Sequence, residues 1–124
     1  MSTLTPNADL AYQVLDHIDA HPNSWNQNTW LLTHEPEQLV TAASCGTVAC
    51  FAGWTVLLAG NTATFDCVIE DYVVNDVAIP VQAQRLLGLN SSEAESLFHP
   101  DNSRAELGDI VAEAFGPRPT GGAA

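Results

Sequence analysis

Apolar positions recur along this chain with different periods, and each period predicts a different element. Leu10, Val14 and Ile18 repeat every four residues, flanked by Ala11 and Leu15, which predicts a helix with one apolar stripe. Thr5 as N-cap, Pro6 at the first helical position and Pro22 beyond the end bound it at about 6–20. From Cys45 to Gly60 the apolar positions run almost without a break. A helix that is apolar nearly all round is covered on all sides, so this run predicts the central helix, about 46–59, stopped by Gly60-Asn61. Ala49, Ala52 and Gly53 offer a surface that a second helix can approach closely.

The period shortens after Thr62. Tyr72-Val73-Val74 and Val77-Ala78-Ile79 flank Asn75-Asp76, which predicts a β-hairpin, about 71–79, with positive φ at its turn. Helical spacing then returns. Pro80 opens a short helix that Gly88 closes, with Leu89 as the following apolar contact. Asn90-Ser91-Ser92-Glu93 and Ser103-Arg104-Ala105-Glu106 both have the spacing of a capping box. The second leads into a helix whose apolar face carries Leu107, Ile110, Val111 and Ala114 and which Gly116-Pro117 ends.

The stretch 23–43 is rich in Asn, Thr and Gln and holds Trp25 and Trp30. It reads as irregular, with one helical turn at about 24–30, a short helix after Pro36, and the two Trp residues folded over the core. The alternative role of these Trp side chains is that of exposed aromatic anchors for a partner. Together these elements predict a mainly α fold: a compact single-domain helical bundle, 1–116, around the central helix, with one small β-hairpin. The 6–20 and 103–115 helices are expected against the central one, and 117–124 is expected to be a disordered tail.

Charge alters this picture more than size does. The 124 residues suit one domain. Against fifteen acids stand three arginines and no lysine, for a net charge of −12. Phosphate backbones and anionic membranes are bound by Lys and Arg, so direct nucleic-acid or membrane binding is not expected. A basic protein is the electrostatic complement. Two acidic sets are candidate partner-binding surfaces, Asp66, Glu70, Asp71 and Asp76 on the hairpin side, and Glu93, Glu95, Glu106, Asp109 and Glu113 on the helices. Trp25 or Trp30 would supply the apolar anchor. No apolar run reaches a membrane span, the start lacks the pattern of a signal peptide, and the cysteine count is odd. A reducing cytoplasm is the expected location.

Candidate chemistry centres on Cys45, Cys50 and Cys67. Cys45, near a helix start, could act as a nucleophile with His34 or His99 as base, but no family-specific Cys–His pattern accompanies it. Within a helix, residues 45 and 50 would have Cα atoms roughly 8–9 Å apart, beyond the roughly 7 Å that a disulfide spans. Zinc held by the three thiols and a His lacks a second Cys pair. His17 and His21 share a helix face with two-His metal spacing, yet imidazoles also suit a helix C-terminus. Asp101-Asn102-Ser103 fails the calcium-loop pattern and reads as a helix cap. No catalytic, cofactor or metal residue is therefore expected.

Cys45-Gly-Thr-Val-Ala-Cys-Phe-Ala-Gly-Trp, followed by Arg85-Leu-Leu-Gly-Leu, Leu97-Phe98 and Asp101-Asn-Ser-Arg-Ala-Glu-Leu, resembles a group of small proteins of mycobacteriophages and other actinobacterial genomes. The resemblance runs from Thr5 to Pro119, and its most specific part is Cys-Gly-Thr-x-x-Cys-x-Ala-Gly. The stretch 27–44 departs from it by being longer. The resemblance implies no activity and no site residues. It implies a phage setting, and with it a non-enzymatic cytoplasmic protein that binds a host protein through its acidic surface, with inhibition of that protein left open. A Cys45-dependent enzyme, a DNA mimic that occupies a nucleic-acid-binding protein, and self-association remain the alternatives.

Overall fold

The computed structural model describes residues 7–27, 31–32, 39–41, 47–66, 68 and 71–116. Among the described residues, five α-helices and six short strands make a mixed α/β fold, which corrects the expectation of a mainly α bundle with one hairpin. In chain order the elements are α1 (Ala8–Ala20), β1 (Leu31–Leu32), β2 (Leu39–Val40), β3 (Val48–Ala49), α2 (Phe51–Leu58), β4 (Ala63–Asp66), β5 (Asp71–Val74), β6 (Val77–Ala78), α3 (Ile79–Leu87), α4 (Ser91–Leu97) and α5 (Arg104–Phe115). The expected hairpin is present as β5–β6, but β4 and β2 extend it into a four-stranded antiparallel sheet, β2-β4-β5-β6. A separate antiparallel pair joins β1 to β3.

The apolar run of 45–59 is where strand and helix were confused. Val48 and Ala49 pair with Leu32 and Leu31 as a strand, Cys50 is the cap, and the helix occupies only Phe51–Leu58. A continuous apolar run fits a buried strand as well as a buried helix. The helix is central as expected: all residues from Phe51 to Leu57 are buried. Gly60, at φ 93°, follows its last turn. Leu39 and Val40 likewise lie in a strand, where a short helix after Pro36 was expected.

The local signals hold elsewhere. In α1, Leu10, Val14 and Ile18 are buried. The described cap is Asn7, whose side chain accepts the Leu10 N–H at 3.1 Å; the expected cap at Thr5 and Pro6 lies outside the described residues, as does the tail 117–124. Both capping boxes form with both of their hydrogen bonds. Gly88 closes α3 at φ 72°, and Asn75 and Asp76 take φ of 52° and 64° in the hairpin turn.

Helix α2 is flanked by α1 and α3, whereas α5 packs chiefly on α1 and α4. Two contacts fix α5 antiparallel to α1. Arg104 at its start pairs both guanidinium arms with Asp19, at 2.7 and 2.8 Å. At its end the Tyr12 hydroxyl donates to the Gly116 carbonyl at 2.6 Å.

Candidate functional site

Helices α3 and α4 diverge from Gly88 and leave an open groove of about 330 Å³ between them. Ala94 and Phe98, nearly fully buried, form its floor, and Val81, 42% exposed, stands in it. Pro80 and Gln84 lie one turn apart on the α3 wall. On the other wall Ser91 and Glu95 lie one turn apart on α4, and His99 and Pro100 follow just beyond its end. The Asp101 main-chain N–H donates to His99 Nδ1 at 3.1 Å. A neutral His99 therefore carries its proton on Nε2. The groove thus joins an apolar bed to one carboxylate and one imidazole donor. An apolar bed with a few polar groups on its rim is the usual lining of a binding pocket.

The end of the groove is tied to the core by Gln27. This side chain, 6% exposed, accepts from Trp25 Nε1 at 3.0 Å and from the Phe51 N–H at 3.2 Å. It donates to the carbonyls of Leu97 and His99 at 3.1 and 3.2 Å. Asn102 adds bonds from Nδ2 to the Ser96 and Leu97 carbonyls, while Ser103 caps α5. Neither Gln27 nor the groove carries a local motif, so nothing in the sequence marks them.

The structure separates the expected partner-binding residues. Trp25 packs half-buried against the core and spends its one donor on Gln27, so it serves the fold. Trp30 and Glu70 lie outside the described residues. Asp66 accepts the Val68 N–H at 2.8 Å and stands opposite Asp71 in the β4–β5 register. Asp76 is exposed in its turn. Glu93 and Glu106 are held in the two capping boxes. Glu93 also lines a hollow with Glu113, and Asp109 is exposed on α5. Among the described residues of the set, Glu95 alone borders the apolar groove.

Phe65, 41% exposed, meets the edge of Tyr72 at 5.3 Å between ring centroids. Near the end of α1, His17 lies between His21, at 4.7 Å, and Trp54, at 4.1 Å between centroids. Its Nε2 is buried without a hydrogen-bond partner. Burial, and secondarily the charge of His21, lower its pKa. This pair stacks on the core, and among the described residues no three His, Cys, Asp or Glu side chains gather to hold a metal ion.

Cys50 is a buried free thiol, and burial pushes its pKa up to about 11, against a smaller opposing effect of the Gly53 and Ala52 N–H groups. A thiol so held is inert at neutral pH. Cys45, Cys67 and His34 lie outside the described residues. No described helix is long and apolar enough to cross a membrane. In comparisons with known proteins, no family model, curated sequence or solved structure matches the chain.

Proposed function

We propose that this protein is a non-enzymatic binding module for a basic protein, and that in the phage setting which its Cys-Gly-Thr-x-x-Cys motif suggests, the partner is a host protein that it occupies and inhibits. The observation that carries this reading is the α3–α4 groove, an apolar bed with Glu95 on its rim in a chain of net charge −12. Acids around such a bed steer a basic partner to it, and the apolar contact supplies most of the affinity. A DNA mimic fits less well: exposed acids are spread over α1, the β5–β6 turn, α4 and α5, and two of the helical ones are engaged in caps. The alternative of an enzyme centred on Cys45 rests on a residue outside the described ones, and the buried thiol of Cys50 adds nothing to it.

Affinity capture from the lysate of an actinobacterial host, at low and moderate salt, tests the proposal. A specific basic partner, held less well as salt rises, is the expected result. Recovery of no specific partner at either salt concentration sinks it.

A further inference from the structure

We propose that the α3–α4 groove seats one short amphipathic helix of the partner, with its apolar ridge on Val81 and Phe98 and a Lys or Arg beside Glu95. This rests on the binding reading above and names the form of the partner segment. Shape is the first argument. The α4 wall is seven residues long, Ser91–Leu97, about 10 Å at the helical rise and so about two turns of a partner helix. Its side chains recur once per turn, the spacing that a helix laid alongside presents in return.

Backbone chemistry is the second argument. An extended occupant would bring its own N–H and C=O groups into an apolar bed, where each needs a partner. Among the described residues no strand contributes to the lining, and its side chains that can hydrogen-bond are Gln84, Ser91, Glu95 and His99. A helix satisfies these groups internally, apart from its ends. Charge is the third argument. Glu95 is exposed, and the carboxylates of the chain far outnumber its arginines. An acidic flank on the incoming helix is repelled, and a basic one is drawn in.

The test uses the full chain and three fluorescein-labelled peptides of about 14 residues, a length at which an isolated helix is marginal in water. One is a Leu/Lys amphipathic helix, the second has the same composition scrambled, and the third replaces Lys by Glu. Anisotropy should show saturable binding of the first alone, and circular dichroism should show it gaining helix in the complex. Val81→Asp, at a position 42% exposed, should weaken it about tenfold. Glu95→Lys should weaken it and flatten its salt dependence. Equal binding of the scrambled or acidic peptide, no gain of helix, or unchanged binding by Val81→Asp each overturns the inference. Capture of a host partner that survives Val81→Asp overturns the groove as its seat while leaving the binding function standing.

Discussion

The side-chain carbonyl of Gln27 accepts the main-chain N–H of Phe51 at 3.2 Å, across 24 residues of chain. Phe51 is the first residue of α2, and the cap residue Cys50 makes no side-chain capping bond. A distant glutamine thus does for this helix what a local Ser or Asn does for others.

Replacing Gln27 shows what that bond is worth. In Gln27→Leu the Phe51 N–H and the Trp25 indole N–H lose their partner, while the Leu97 and His99 carbonyls keep bonds from Asn102. Two orphaned donors cost about 2–4 kcal/mol, read as a lowered urea midpoint. Gln27→Glu should be worse at neutral pH, because a carboxylate would face two carbonyl oxygens, and should recover in part in acid. A loss below about 0.5 kcal/mol in Gln27→Leu would mean that water replaces the amide.

Stability should fall as pH drops through the ordinary imidazole range. Burial holds the folded pKa of His17 below the usual 6.5, so below that pH the unfolded chain binds a proton that the folded one does not. The stabilising difference is therefore present above pH 6.5 and lost as acid approaches the lower, folded value. His17→Phe keeps a ring against Trp54 and removes the titration. Its melting temperature should fall less than that of the wild type between about pH 7.5 and 5.5. Parallel losses in the two proteins would acquit His17.

The turn at Asn75-Asp76 separates conformation from charge. Both residues have positive φ, the geometry in which glycine is favoured at the second position. Asp76→Gly should raise stability by several tenths of a kcal/mol, and Asp76→Val should lower it by about 1–2 kcal/mol in a thermal melt. If Asp76 also contacts the partner, Asp76→Gly will stabilise the chain and weaken capture together. If it serves the turn alone, capture will not change.

These cases also show which parts of the molecule are legible in the sequence. The Asn90–Glu93 and Ser103–Glu106 boxes, the Gly88 stop and the Asn75-Asp76 turn each lie within a few residues of chain, and local chemistry decides them. The four-stranded sheet is different. Strands β2 and β6 have two residues each, too short to show alternation, and Val48-Ala49 is hidden in an apolar run that continues into α2. The groove is less legible still, because Val81 and Phe98 look like ordinary members of amphipathic helices until α3 and α4 are placed side by side. Charge and box spacing together pick out Glu93 and Glu106 as cap partners, whereas nothing local marks Glu95 as an acid bordering the groove.

The bonds from Gln27 to the Leu97 and His99 carbonyls have a mechanical consequence for the groove. Its end is fastened through one amide to the first turn of the most deeply buried helix, so it cannot widen without pulling a hydrogen bond out of the core. If the groove is the proposed seat of a partner, it is already shaped before the partner arrives. Whatever docks there loses its own freedom of movement, while the protein gives up little. Selection among ligands then falls on how readily each adopts the bound form when alone.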